Sequence, residues 1–149
     1  MNDKKTVQIP NKRASFDYHL VQRYTAGMVL TGTEIKSIRN GQANLTDAFC
    51  LIKDDELYVK NLHISLWKQG SYYNHEPLRM RKLLLKKAEI KKIRAKALEK
   101  GFTVIPVKIF ISESGYAKIE IAVAQGKKSF DKREDIKKKD VQRDLQRLM

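Results

Sequence analysis

The chain has 149 residues, 42% of them hydrophobic, so it is long enough to bury the core of one domain. Its 31 Lys and Arg residues against 17 Asp and Glu residues give a net charge of +14, which indicates an anionic partner. The longest apolar run, Ala48–Ile52, is far shorter than the roughly 20 residues of a membrane-spanning helix. These numbers exclude such a helix and disorder throughout the chain.

The few special residues point to a cytoplasmic protein. No apolar stretch follows Lys4 and Lys5, so we expect no signal peptide. The single cysteine, Cys50, cannot close an internal disulfide, which fits a reducing compartment. Its apolar neighbours favour a small buried residue over a reactive thiol.

The positive charge is concentrated in two segments. Residues 76–100 carry a net charge of +7 and residues 127–149 carry +4, whereas residues 101–126 are neutral and residues 1–75 carry +3. A local excess of one sign is typical of a phosphate-binding face, although a solvated helix face explains many lysine-rich runs. The neutral segment is expected in the core.

The first half of the chain predicts short elements. Residues 1–10 are polar and predict a flexible N-terminus, and Met28–Leu30 is strand-like. A short helix is expected between Thr31 and Gly41, with Thr33 as its cap and Glu34 in its first turn. Two further strands, Leu45–Lys53 and Leu57–Leu62, are predicted to form a hairpin.

The second half predicts one helix and the two clearest strands. Trp67–Glu76 shows no hydrophobic periodicity and predicts a mobile loop. Ala88–Lys100 is expected to be helical. Apolar residues alternate with other residues in Thr103–Ile111 and in Tyr116–Ala124, as is typical of strands. In the first of these strands, one side is expected to carry Ile105, Val107, Ile109 and Ile111. Pro106 predicts an edge or a bulge because it cannot donate a ladder hydrogen bond.

These elements predict a mainly β fold with short helices. About six antiparallel strands would close into a barrel of the oligonucleotide-binding type, which removes exposed sheet edges. Residues 11–125 form this domain, and residues 126–149 form a basic tail. The tail has few apolar residues and only weak helix-favouring ion pairs, so we expect it to be disordered alone and helical against a partner.

Catalytic patterns are sparse. The three histidines, His19, His63 and His75, have no metal-ligand spacing and are expected at the surface or half-buried. The enzymatic alternative is a metal-dependent nuclease that uses Asp17, Glu34 and Lys36. We therefore predict that the protein is not an enzyme and needs no cofactor or metal.

Aromatic residues lie among the cations and suit RNA. Phe16, Tyr18 and Tyr24 lie beside Lys12, Arg13 and Arg23 in the sequence. Rings can stack on unpaired bases while cations hold phosphates, although about half of such rings are expected in the core. Similar rings, Trp67, Tyr72 and Tyr73, lie in the predicted loop.

Five motifs in unchanged order resemble one known family. They are Asn11–Ala14, Gly32–Arg39, Gly41–Asp47, Arg81–Leu85 and Gly126–Arg133. Together they resemble the SsrA-binding proteins, or small protein B, of bacterial trans-translation, from about Asn11 to the end of the chain. The match is specific because the motifs occur together.

The resemblance implies an RNA-binding adaptor. Such a protein grips the tRNA-like domain of transfer-messenger RNA (tmRNA), stands in for the missing anticodon arm, and enters stalled ribosomes with elongation factor Tu. A generic ribosomal-RNA-binding protein remains the alternative. The residues implied to line or support the RNA face are Asn11, Lys12, Arg13, Tyr18, Glu34, Lys36, Arg39, Asn44, Arg81, Lys82 and Leu84.

The resemblance also implies that the tail enters the decoding centre and the empty messenger channel. The tail residues expected to act there are Gly126, Lys127, Lys128, Phe130, Asp131, Lys132, Arg133, Lys137, Lys138, Lys139 and Arg143. Phe130 and Val141 depart from the histidine and tryptophan that relatives often carry. We therefore expect the contacts of the tail to depend more on the neighbouring basic residues.

Glu34 is the unusual member of the implied RNA face because an acidic residue there needs a reason. It either accepts hydrogen bonds from RNA or orients neighbouring Arg and Lys side chains. The simpler alternative is a negative charge at a helix N-terminus, worth about 0.3–1 kcal/mol.

Overall fold

The computed structural model describes residues 7–69 and 74–127 and four single residues of the tail, Arg133, Ile136, Lys137 and Arg143. Nine strands and three helices follow one another in the described ranges. They are β1 (Gln8–Pro10), α1 (Ala14–Asp17), β2 (Tyr18–Met28), α2 (Gly32–Arg39), β3 (Ala43–Asn44), β4 (Phe49–Lys53), β5 (Glu56–Lys60), β6 (His63–Ile64), β7 (Arg81–Leu84), α3 (Lys87–Ala97), β8 (Phe102–Ile111) and β9 (Ala117–Gly126).

Six of the strands close into an antiparallel barrel. The hydrogen-bonded order is β8-β4-β5-β7-β2-β9, and β9 pairs back with β8. Strand β1 extends the sheet beyond β8, although its residues fall in the polar N-terminal segment. Strands β3 and β6 form a separate two-stranded sheet. The predicted mainly β barrel of about six strands is confirmed.

A bulge in β8 separates two hydrophobic clusters that lie on opposite faces of the strand. The register between β8 and β9 shifts between Pro106 and Lys108, which confirms the bulge predicted at Pro106. One extra residue reverses the side-chain alternation, so Val104 and Ile109 pack in the main core while Ile105 packs in a second cluster with Ala14. The prediction that Ile105 shares a face with Ile109 was wrong for this reason.

The hairpin of β4 and β5 confirms the predicted pairing with shorter strands. Lys53 pairs with Glu56, and the two turn residues, Asp54 and Asp55, have φ values of 51° and 60°. Two successive left-handed residues match the right-handed twist of the strands, and Asp tolerates that conformation better than most side chains. Residues 45–48 precede β4 and are not part of it.

Helix α2 is capped two residues earlier than predicted. The side chain of Thr31, not Thr33, accepts a hydrogen bond from the Glu34 backbone N–H, and the Glu34 carboxylate accepts one from the Thr31 N–H. This reciprocal pair is a capping box. Gly41 follows the helix with a φ of +73°, the left-handed conformation expected of it. The preceding strand is β2, which ends at Met28 before the predicted Val29 and Leu30.

Helix α3 confirms the predicted basic helix and lies against the barrel. It runs from Lys87 to Ala97, three residues short of the predicted end, and buries Ile90 and Ile93. Cys50 is buried as expected, and burial raises the pKa of its thiol. No helix in the described part of the chain has the length and apolar character of a membrane span.

Candidate nucleic-acid interface

A buried ion cluster joins α2 to β7. The side chains of Glu34 and Arg81 are completely buried, and Arg81 Nε donates a hydrogen bond to Glu34 Oε2. Arg79 Nη2 donates to Glu34 Oε1 over 2.6 Å and to the Val29 carbonyl over 3.2 Å. One carboxylate therefore serves two guanidinium groups and its own helix start. Arg79 was not singled out from the sequence, although its place two residues before Arg81 on an extended segment was a usable signal.

Arg81 also organises the loops around it. Its Nη1 donates to the Leu62 carbonyl over 2.6 Å, and its Nη2 donates to the carbonyls of Glu76 and Pro77 over 3.3 and 3.0 Å. A buried guanidinium needs such partners for all its donors. The hydrogen bonding of Arg79 is less complete, because its buried Nε has no partner within the described residues. Arg81 thus holds the chain before β7 and the chain after β5 in one place.

Both members of the buried pair are charged at neutral pH. Burial by itself raises the pKa of Glu34, but hydrogen bonds from Arg79, the Thr31 backbone and Arg81 outweigh it and lower the pKa from 4.5 to about 2. Burial lowers the pKa of Arg81, and the neighbouring Glu34 opposes that shift. Because Glu34 and Arg81 are completely buried, they belong to the support of a surface and do not touch RNA from this position. Of the alternatives for Glu34, the structure matches the orientation of arginine neighbours together with helix capping.

His75 forms a second buried link to α2. Its Nδ1 lies 2.9 Å from Thr33 Oγ1 and its Nε2 lies 2.9 Å from the Ile64 carbonyl. The ring is 7% exposed, so the expectation of a surface or half-buried position was wrong for His75, whereas His19 and His63 are exposed. The burial of His75 was not predicted because its two partners, Thr33 and Ile64, are 42 and 11 residues away in the sequence.

The predicted loop around Trp67 is closed at its base. The Asn74 side chain donates to the Trp67 carbonyl over 2.8 Å and accepts from the Trp67 N–H over 3.3 Å. Tyr72 and Tyr73 lie outside the described residues. The described ends of the loop are therefore held together beside the His75 link.

The outer face of β7 presents two of the predicted residues. Lys82 and Leu84 alternate with buried Arg81 and Leu83, and the Leu84 side chain is 52% exposed. Leu84 lies opposite Gly27 on β2, where an added Cβ would come within 3.4 Å of Leu84 Cβ. An exposed leucine beside a lysine suits contact with a ribose or base next to a phosphate.

The predicted residues near the N-terminus lie at a different cleft. Asn11, Arg13 and Tyr18 line it together with Thr46 and Asp47. The Asn11 amide donates to the Pro106 carbonyl over 2.9 Å, which ties this segment to the β8 bulge. Arg13 pairs with Asp17 over 3.0 Å and lies above the Phe16 ring, and Tyr18 packs partly in the second core cluster.

The remaining predicted cations of the barrel are exposed. Lys12 precedes α1, and Lys36 and Arg39 lie on α2. Asn44 is also exposed, and its side chain accepts a hydrogen bond from the Thr46 N–H over 2.9 Å. The structure thus separates the predicted set into the β7 face, the N-terminal cleft, the α2 surface and the buried Glu34–Arg81 pair.

The nuclease alternative does not match the geometry. Both oxygens of Glu34 are occupied by arginines inside the protein, and Asp17 pairs with Arg13. Lys36 is exposed. Within the described residues, no group of three His, Cys, Asp or Glu side chains is placed to hold a metal ion. These three residues therefore do not form the metal-binding triad that was considered.

The beginning of the tail is continuous with the barrel. Gly126 is the last residue of β9 and pairs with Tyr18, and the Lys127 N–H donates to the Asp17 carbonyl over 2.8 Å. Arg133, Lys137 and Arg143 are exposed and have helical backbone. The other predicted tail residues, Lys128, Phe130, Asp131, Lys132, Lys138 and Lys139, lie outside the described residues.

Fold and surface together define a class. A closed six-stranded antiparallel barrel with a net charge of +14 is a small, basic barrel protein of the oligonucleotide-binding type. The family model described as SmpB protein matches residues 8–149, and the chain belongs to this family. The resemblance seen in the five motifs is confirmed.

Individual relatives cover nearly the whole chain. An SsrA-binding protein of Cytophaga hutchinsonii is 54% identical over 144 residues, which are 97% of this chain and 94% of that protein. Another, of Bacteroides thetaiotaomicron, is 56% identical over 143 residues, 96% of this chain and 95% of that protein. A solved structure described as "tmRNA-SmpB: a journey to the center of the bacterial ribosome" is similar with a TM-score of 0.73 and 42% identity, covering 87% of this chain and 94% of that chain.

Proposed function

We propose that the protein is an RNA-binding adaptor that binds the tRNA-like domain of tmRNA and brings it to stalled ribosomes for trans-translation. The similarity to SsrA-binding proteins along 97% of the chain carries this proposal. The basic barrel stands in for the missing anticodon arm, and the tail enters the decoding centre and the empty messenger channel. Elongation factor Tu is a partner through the charged RNA. Trans-translation on stalled ribosomes takes place in the cytoplasm, which is the location expected from the sequence.

We assign distinct tasks to the predicted residues. Lys82 and Leu84 contact RNA on the outer face of β7, and Lys12, Arg13, Lys36, Arg39 and Asn44 supply further contacts from exposed positions. Glu34 and Arg81 act from the interior by holding α2 against β7. Direct contacts and support therefore belong to different side chains.

No chemical step is part of this function. Recognition rests on shape, cations at phosphates and apolar contacts with riboses and bases, which are the usual elements of RNA binding. We expect no cofactor or catalytic group. Mg²⁺-dependent cleavage of an RNA probe that is lost in Lys36→Ala would contradict this view.

Comparative RNA binding tests the proposal. The purified protein should bind the tRNA-like domain of tmRNA more tightly than bulk tRNA in the same buffer at a stated salt concentration, because phosphate contacts alone give little preference. Equal affinity for both RNAs would favour a generic RNA-binding protein and overturn the adaptor function.

The assignment of Leu84 has a matched control within the chain. Leu84→Ala should weaken binding to the tmRNA domain by about 1–2 kcal/mol, whereas Leu98→Ala should leave it unchanged. Both leucines are exposed, Leu98 by 80%, so neither change disturbs the core. Equal effects of the two changes would remove the β7 face from the interface.

A further inference from the structure

A groove lies beside the outer face of β7, where the strand gives way to α3. Its apolar lining includes Leu84, Leu85 and Ile90. Three lysines line it as well: Lys82 on β7, and Lys87 and Lys91 on α3. The groove therefore continues from the proposed RNA-contacting residues of β7 onto the basic helix.

The groove has unpaired positive charge. Its two acidic residues are already engaged, because Glu56 lies 3.7 Å from Lys82 Nζ and Asp55 lies 2.5 Å from an Arg94 nitrogen. Lys87 and Lys91 are exposed, and neither forms an ion pair with a residue in the described ranges. They are four positions apart on α3 and so share one helix face.

We propose that this groove carries a stretch of the sugar–phosphate backbone of the same RNA that contacts Lys82 and Leu84. Two ammonium groups on one helix face suit phosphates, and an apolar floor suits the carbon edges of riboses. The inference rests on the proposed function and extends its interface from β7 to α3. Lysine is a flexible point charge, so these contacts hold the RNA in place without reading its sequence.

Segment charge agrees with this assignment. Residues 76–100 hold half of the net charge of the chain, +7 of +14, and they contain both β7 and α3. Two nearby lysines are not part of the groove: Lys92 on α3 does not line it, and neither does Lys100, which lies beyond the end of the helix. Residues 87–100 therefore contain one pair of lysines in the groove and one pair of equal charge outside it.

A charge-matched pair of double variants tests the groove. Lys87→Gln with Lys91→Gln removes the groove charges, and Lys92→Gln with Lys100→Gln removes two charges outside it. Binding of each variant to the tRNA-like domain of tmRNA is measured between about 50 and 200 mM salt, since each lost phosphate contact reduces the slope of log K against log salt by about 0.7–0.9. Thermal unfolding of each variant verifies that it is folded.

The proposal expects the groove variant to lose about tenfold in affinity and to show a salt slope smaller by about 1–2, with the outside variant close to the unmodified protein. Equal losses in both variants would point to the general field of the protein and overturn the groove, as would no loss in either. If the unmodified protein does not prefer the tmRNA domain, the proposed function fails. If it does and the two variants behave alike, only the groove fails.

Discussion

Glu34 on α2 and Arg81 on β7 are 47 residues apart in the chain, yet their completely buried side chains form an ion pair inside the protein. Two charges removed from water are stable only with additional hydrogen bonds. Glu34 receives them from Arg79 and the Thr31 backbone, and Arg81 donates to three carbonyls. The pair thus connects the α2 surface to the strand that carries Lys82 and Leu84.

Removing one member of this pair should destabilise the fold. Glu34→Gln leaves two arginines without their buried anion, and we expect the free energy of unfolding to fall by about 3–5 kcal/mol. Urea unfolding measures the change. Lys36→Gln, an exposed change on the same helix, should alter stability by less than about 0.5 kcal/mol. Similar stability of both variants would show that the pair does not hold α2.

The same residue predicts a dependence of stability on pH. The pKa of Glu34 is about 2 in the folded protein and 4.5 without the surrounding structure, so its contribution is complete above pH 4.5 and is lost as the pH falls towards 2. Its size is about 3 kcal/mol. Urea unfolding gives the free energy of unfolding of the unmodified protein and of Glu34→Gln at each pH in this range. The two curves of this free energy against pH should converge at low pH. Parallel curves would mean that Glu34 is not ionised differently on folding.

The link between His75 and Thr33 should contribute separately. Thr33→Val removes the partner of His75 Nδ1, and a buried polar atom left without a hydrogen bond costs about 1–3 kcal/mol. Thermal unfolding is the measurement, and Thr46→Val at an exposed position is the matched control. A stability of Thr33→Val equal to that of the control would show that solvent satisfies the ring.

The barrel and the tail should divide their tasks. A chain that stops after Lys127 keeps the pairing of Gly126 with Tyr18 and the contact of Lys127 with Asp17, so it should bind the tmRNA domain nearly as well as the full chain. It should not support peptide tagging on stalled ribosomes, because the proposed decoding-centre contacts are missing. Loss of RNA affinity together with tagging would show that the tail belongs to the RNA-binding unit.

Local patterns predicted much of the architecture. Alternating apolar residues in β8 and β9 and the acidic turn of the β4–β5 hairpin indicated the strands, and Pro106 indicated the bulge. Alternation in the sequence could not show that the bulge puts Ile105 and Ile109 on opposite faces of β8, because the extra residue is defined only by the pairing with β9. In the same way, Thr31 and Thr33 both precede Glu34, and the helix start was settled by backbone geometry.

The candidate site was predicted less completely, for a related reason. The five motifs identified the family, and the Arg81–Leu85 motif implied that Lys82 and Leu84 line or support the RNA face. Nothing in the spacing distinguished buried Arg81 from half-buried Lys82, since both are basic residues in one basic run. The contacts of Arg79 with Glu34 and of His75 with Thr33 were not predicted because these partners lie 45 and 42 residues away.

By itself, the sequence determined the family, the mainly β barrel, the basic character and the positions of α2, α3 and the strands β4, β5, β8 and β9, because alternation, turn chemistry and charge act between near neighbours in the chain. Only the tertiary structure decided which charged side chains support the surface and which are exposed on it. Burial depends on what distant segments bring together. Closure of the barrel places Arg79 and Arg81 around the Glu34 carboxylate and leaves Lys82, Lys87 and Lys91 in contact with solvent.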